Sequence, residues 1–249
     1  MIHLKKGNYD IAALLYGLLT HLRIYPIIYA LTFYLFLSQN RSLVNMRSIR
    51  FGLLSGGLFI LLFLVFYKLY GMEFAYETYF YHLVRKDPRH NISIYWLANW
   101  FNSKEMNWWV HMAMSLSHKL VFILPGFLLY KDFELAIFVQ TFAFVMYNSV
   151  SNQQYVLWYG KFFIFLCSDR IYYTTKLGIF YMISCIVFFV ATWLSWELEA
   201  RAYKFYGRVN SLEKMGLINI IYFVGIMGFF YITMYFRIKS NTERCNFKI

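Results

Sequence analysis

Apolar positions run through this chain in long blocks, and polar positions gather in a few short ones. A helix needs roughly 20 mainly apolar residues to cross a membrane. Three blocks meet that length: Phe51 to Tyr70, Leu177 to Trp196, and Gly216 to Phe236. A fourth, Tyr9 to Leu37, is apolar except at His21 to Pro26. Pro26 disfavours helical geometry at Tyr25, so this block predicts two short helices meeting at a polar elbow. Non-helical backbone at membrane depth is tolerated only against protein or a water-filled cavity, which makes the elbow a candidate cavity wall. From Lys119 to Cys167 the pattern predicts three further crossings, with breaks at Lys131–Asp132 and at Ser151 to Gln154. The total is about eight hydrophobic segments of membrane-helix character. No repeat and no strand-like alternation competes with the helical reading. The expected fold class is an all-α polytopic membrane protein, one multi-pass transmembrane domain over residues 1–249.

Composition supports that class. The chain is 60% hydrophobic and 23% aromatic, with only 14% charged residues, a balance soluble domains rarely have. Its net charge of +12 comes without a basic, aromatic-interleaved run in a soluble setting, so nucleic acid is not an expected partner. Anionic lipid headgroups and phosphate-bearing lipids are. Cys167, Cys185 and Cys245 lie far apart without metal-ligand spacing, arguing against a disulfide framework or a zinc site. Alternating the segments divides the 24 Lys and Arg evenly between the two sides, so charge does not orient the chain. Sequons at Asn40 and Asn91 fall on opposite sides, and a glycan on either one would orient it.

The densest polar stretch, Tyr79 to Ser93, carries His82, Arg85, Lys86, Asp87, Arg89, His90 and Asn91 between apolar blocks. Alternation places it on one side with the elbow (His21, Arg23, Tyr25), with Asn152 to Tyr159, and with a loop from Glu197 to Lys214. Arg and Lys neutralise phosphodiesters. His donates to a leaving phosphate or takes a hydroxyl proton. Asn, Gln, Trp and Tyr suit sugar hydroxyls and sugar faces. These are tools for glycosyl transfer from a lipid phosphate. Each has a plainer role as well: headgroup-facing cations, interfacial Trp158 and Tyr159, a hydrogen-bonded structural His21. Trp108 and Trp109, with Trp96 and Trp100, read as a helix anchored in the membrane interface. No Asp-x-Asp motif occurs in the 249 residues. Asp87, enclosed by cations, is a poor general base because they hold its pKa down.

Three collinear stretches resemble the PIG-M family of GPI mannosyltransferases. YGLLTHLRIYPIIYAL, Tyr16 to Leu31, is similar to the family's elbow, with Arg23 where Lys is usual. Phe51 to Ser93, with its FYHL-x-R-x-D-x-RHN core, is similar throughout. FVQTFAFVMYNSVSNQQYVLWY, Phe138 to Tyr159, resembles a later family block, and beyond Tyr159 the match fades. The resemblance implies a GT-C type fold in the endoplasmic reticulum membrane, with lumenal polar loops at 21–26, 71–115, 150–155 and 197–215. It implies transfer of the first α-1,4-mannose from dolichyl-phosphate mannose, with no other cofactor, to glucosaminyl-(acyl)phosphatidylinositol. A small stabilising membrane subunit of the PIG-X/PBN type is the implied partner. Within the matched motifs, residue chemistry puts His21, Arg23, Tyr25 and Pro26 along the cavity, His82, Arg85, Asp87, Arg89, His90 and Asn91 near lipid phosphates, and Gln154, Trp158 and Tyr159 near a sugar. No metal site is expected. The catalytic base is not assigned, Asp87, His82 and His90 being its candidates. The family's acidic loop is expected upstream of these residues, so the sequence reads as the C-terminal two-thirds of such an enzyme. The alternative is a non-catalytic membrane scaffold that binds lipid.

Overall fold

Each long apolar block folds as a helix, because within hydrocarbon only helix satisfies a single segment's backbone. A computed structural model describes residues 2–38, 45–81, 91–96, 121–148, 150–155, 157–158, 160 and 175–246. Their helices are α1 (Ile2–Lys5), α2 (Tyr9–Leu22), α3 (Ala30–Leu37), α4 (Met46–Ala75), α5 (Phe133–Met146), α6 (Lys176–Tyr206) and α7 (Asn210–Asn246), and residues 121–128 are helical too. Among the described residues there is no strand. Met46–Phe80, Lys176–Tyr206 and Asn210–Arg237 are long and apolar enough to cross a membrane. They contain the three spans expected from the sequence. Tyr25–Leu37 and Phe133–Met146 are shorter apolar helices. The breaks expected near Lys131 and Ser151 are present as a turn and a loop.

The contacts divide the chain into two compact units, residues 1–85 with 119–140, and residues 86–118 with 141–249. In the first unit α2 and α4 run together, and Gly17 is the reason they approach so closely. A Cβ there would overlap the Ser55 backbone carbonyl, and small residues are what let membrane helices meet backbone to backbone. Tyr16, Phe33, Phe51 and Phe133 form the adjoining aromatic core, with Phe33 centroids 4.5 Å from Tyr16, 5.1 Å from Phe51 and 5.0 Å from Phe133. Asn45 caps α4 by accepting from the Ser48 N–H at 3.0 Å. Ser48 Oγ in turn donates to the Tyr34 carbonyl at 3.2 Å.

The elbow is present, but its geometry differs from expectation. Arg23 is the extended residue (φ −149°, ψ 117°), whereas Tyr25 opens a 3-10 turn, Tyr25–Tyr29, with Pro26 in its first turn. Proline is tolerated there because that N–H has no helical acceptor. The chain therefore breaks two residues earlier than the proline rule places it. Tyr16 closes the elbow by donating to the Pro26 carbonyl at 2.9 Å.

In the second unit α6 and α7 form an antiparallel hairpin. Thr175 caps α6 by accepting from the Gly178 N–H at 3.0 Å. At the far end Gly207 adopts left-handed φ (63°), and its N–H donates to the Tyr203 carbonyl at 3.1 Å, the αL form of helix closure. Midway, Tyr181 Oη donates to the Phe229 carbonyl at 2.7 Å. The loop expected from Glu197 to Lys214 is thus mostly helix, broken only by a short turn after Tyr206. Its charges pair across helix surfaces, Arg201 with Glu197 and Lys214 with Glu199, which gives the polar residues helical rather than loop character. The start of the 71–115 loop is also helical: α4 bends at Gly71 (φ 70°) and ends in a π turn, Tyr76–Phe80.

Candidate functional site

In the first unit the elbow places His21 in the last turn of α2, buried at 7% exposure. Its Nδ1 lies 2.8 Å from Tyr79 Oη, and the Phe66 ring is 5.3 Å away, with Phe59 and Phe74 at 6.2 Å. A polar ring this enclosed requires a partner, and Tyr79 supplies it. This is the hydrogen-bonded structural environment. Arg23 is exposed beside it, and Tyr25 is half-buried with its ring edge-on to Tyr29. The same unit holds a polar node that sequence reasoning passed over. Gln140, fully buried, donates from Nε2 to the Ile28 and Phe122 carbonyls at 2.9 and 3.0 Å and accepts from Thr32 Oγ1. Gly126 lies against both side chains, leaving no room for a Cβ. Asp132 and Glu134, an Asp-x-Glu spacing also passed over, have structural tasks. Asp132 accepts from the Leu135 N–H, and Glu134 pairs with Lys5.

In the second unit Asn91 is the centre of a buried junction. Its Oδ1 accepts from the Ser93 and Ser151 N–H groups, both at 2.9 Å, and it is fully buried. The Ile92 N–H donates to the Ser151 carbonyl at 2.7 Å, and Ser93 Oγ donates to the Asn148 carbonyl at 2.8 Å. From α7, Asn219 Nδ2 donates to the Asn91 and Ser93 carbonyls at 3.4 Å. The family stretch ending in Asn91-Ile92-Ser93 and the Ser151–Gln154 segment are thereby joined. The sequon asparagine is thus a fully buried structural tie.

Beyond the junction, Gln154 is exposed on a 3-10 turn, Gln153–Tyr155. Trp158, half-buried, lies parallel to Phe144 at 6.3 Å and meets Tyr155 at 4.5 Å. Trp96 differs from its expected role as an interfacial anchor. It is 1% exposed and packs with Trp196 and Met215, flanked by Ile92 and Ile218. His82, Arg85, Lys86, Asp87, Arg89, His90, Trp100, Trp108, Trp109 and Tyr159 lie outside the described residues. The structure thus brings together Asn91 and the start of the Gln154 segment in one unit, and His21, Arg23 and Tyr25 in the other.

Comparisons with known proteins place these features in a family. The profile described as mannosyltransferase (PIG-M) matches residues 1–234, so the similarity continues well past Tyr159, where the motifs by eye end. The chain is 35% identical to GPI mannosyltransferase 1 of Saccharomyces cerevisiae over 183 residues, covering 68% of this chain and 45% of the relative. It is 34% identical over 169 residues to the GPI alpha-1,4-mannosyltransferase I catalytic subunit of Danio rerio, covering 64% and 43%. With GPI mannosyltransferase 1 of Candida albicans it shares 28% identity over 238 residues, covering 88% and 58%. The chain spans about half the length of the curated relatives it matches. No solved structure matches it. On the profile's near-complete coverage, this membrane chain of apolar helices belongs to the PIG-M mannosyltransferase family.

Proposed function

We propose that the chain forms the membrane body of a GPI-anchor mannosyltransferase of GT-C type, working at the lumenal face of the endoplasmic reticulum. It transfers the first mannose, in α-1,4 linkage, from dolichyl-phosphate mannose to glucosaminyl-(acyl)phosphatidylinositol. The observation that carries this reading is the family match over residues 1–234. The name of the Danio rerio relative supports the linkage. Three spanning helices suit a reaction whose donor and acceptor are both lipids.

In this reading the acceptor hydroxyl attacks the mannose anomeric carbon. The bond to phosphate breaks, and dolichyl phosphate leaves with the bonding electrons. Arg85 and Arg89 neutralise that phosphate. His82, His90 and Asp87 are the candidates to take the hydroxyl proton. Gln154, Trp158 and Tyr159 hold the sugar, Asn91 sets the backbone that carries them, and His21, Arg23 and Tyr25 shape the cavity. Neither metal nor nucleotide sugar takes part. A small membrane subunit of the PIG-X/PBN type stabilises the assembly, and the polar loops at 21–26, 71–115 and 150–155 are lumenal parts of one transmembrane domain.

The test uses membranes from cells that lack their own enzyme of this class and express this protein. They receive labelled dolichyl-phosphate mannose and synthetic glucosaminyl-phosphatidylinositol. Labelled mannosyl-glucosaminyl-phosphatidylinositol is the expected product. No product from well-inserted protein overturns catalysis by this chain. Product that appears only when a second chain is co-expressed supports the scaffold reading instead.

A further inference from the structure

Asn219 lies on α7, beyond every motif that carried the sequence resemblance, and is 2% exposed. Its Nδ2 faces two backbone carbonyls, those of Asn91 and Ser93, each at 3.4 Å. Those acceptors decide the amide's orientation, because its own oxygen would be repelled by both. Oδ1 is thereby left buried without a partner among the described residues. Trp196 Nε1, in the neighbouring tryptophan cluster, is in the same condition. A buried acceptor without a partner is destabilising. Were packing its only task, an apolar side chain of similar volume would serve better at 219.

The bonds continue from Asn219 toward the proposed sugar contact. The carbonyls it holds belong to the 91–93 turn, and that turn is clipped twice to Ser151: Asn91 Oδ1 accepts from the Ser151 N–H, and the Ile92 N–H donates to the Ser151 carbonyl. Ser151 opens the segment that presents Gln154, which is itself braced by its N–H donating to Asn152 Oδ1 at 3.1 Å. We infer that Asn219 is a positioning residue, which holds the 91–93 turn and, through Asn91, sets the place of the Ser151–Gln154 segment against the sugar. This rests on the mannosyltransferase reading and on Gln154 as a sugar contact.

Asn219→Leu keeps the number of side-chain heavy atoms and removes the donor; Asn219→Asp keeps the shape and turns oxygen toward both carbonyls. Two readouts apply to the protein in membranes: amide hydrogen exchange of the 91–96 and 150–155 peptides, and KM and kcat for the lipid-linked donor. Either substitution is expected to speed exchange at Ile92 and Ser151 about tenfold. KM should rise about three- to tenfold, the worth of one or two hydrogen bonds, with kcat nearly unchanged. Combining Asn219→Leu with Gln154→Ala should raise KM no further than the larger single change, because both act on one contact. Unchanged exchange, or losses that multiply in the double variant, overturn the inference. Asn219→Ala, too small to strain the site, replaces Asn219→Leu if that variant does not accumulate, with the same rise expected. If the unsubstituted protein transfers no mannose, the functional reading falls, and exchange alone decides whether Asn219 holds the segment.

Discussion

The Tyr79 hydroxyl meets the His21 ring at 2.8 Å across 58 residues of sequence, and lies 3.4 Å from the His21 carbonyl as well. One phenol therefore ties the last turn of α2 to the π turn that ends α4. Tyr79→Phe should leave the buried imidazole without that partner and cost about 1–3 kcal/mol. The exposed Arg23→Ala should cost far less. Thermal unfolding of detergent-purified variants checks the order. Equal losses would show that the bond does not hold the elbow.

Gly17→Ala should destabilise the packing of α2 on α4 by about 1–3 kcal/mol, the usual cost of overpacking. The obstacle is the Ser55 backbone rather than a side chain that can turn aside. Gly56→Ala and Gly57→Ala, inside the same helix with open space at the Cβ, should be neutral or stabilising by up to about 1 kcal/mol. Midpoints of thermal unfolding in one detergent compare the three. A neutral Gly17→Ala would mean the helices do not approach as closely as described.

Gln140→Leu matches the buried volume but removes two donors and one acceptor. The Ile28 and Phe122 carbonyls and the Thr32 hydroxyl would each lose their bond to this side chain. A loss of about 1–3 kcal/mol is expected from the unsatisfied groups. Thr32→Val removes one bond alone and should cost about 1 kcal/mol. Urea or heat titration of the variants measures both; similar losses for the two would remove Gln140 as the centre of that node.

Asn91 is expected to carry no glycan despite its sequon, because its amide is buried and its Oδ1 accepts from two backbone N–H groups. Mass spectrometry of the peptide after enzymatic deglycosylation should show no conversion to Asp. Conversion at this site would be incompatible with the buried junction. Asn91→Ala should in turn cost about 1–3 kcal/mol, since it strands the Ser93 and Ser151 N–H donors, the first of them buried.

On the proposed function, in which Arg89 neutralises the donor phosphate, Arg89→Ala should lower mannosyl transfer about tenfold or more at equal protein abundance, the worth of a charge-assisted bond to phosphate. Radiolabelled transfer in membranes measures it. Unchanged transfer would remove Arg89 from the phosphate site.

Hydropathy alone located the three spanning helices, since partition into lipid depends on length and apolarity and on little else. The polar interruption His21 to Pro26 announced the elbow, while the proline rule, a local property, placed its break two residues late, at Tyr25 instead of Arg23. The resemblance of three collinear stretches, Tyr16 to Leu31, Phe51 to Ser93 and Phe138 to Tyr159, named the family. The sequence could not tell which face of each apolar helix meets protein: in lipid both faces are apolar, so the pattern carries no inward stripe. Trp96 therefore read as an interfacial anchor although it is buried against Trp196. The Glu197–Lys214 charges read as a loop although they lie mostly on helices. The partners of the buried amides were beyond reach for a different reason. Gln140 bonds Ile28 across 112 residues, and Asn219 bonds Asn91 across 128. A lone Asn or Gln in an apolar helix signals only that some partner must exist; tertiary structure decided which, because only the packed chain brings those carbonyls within reach.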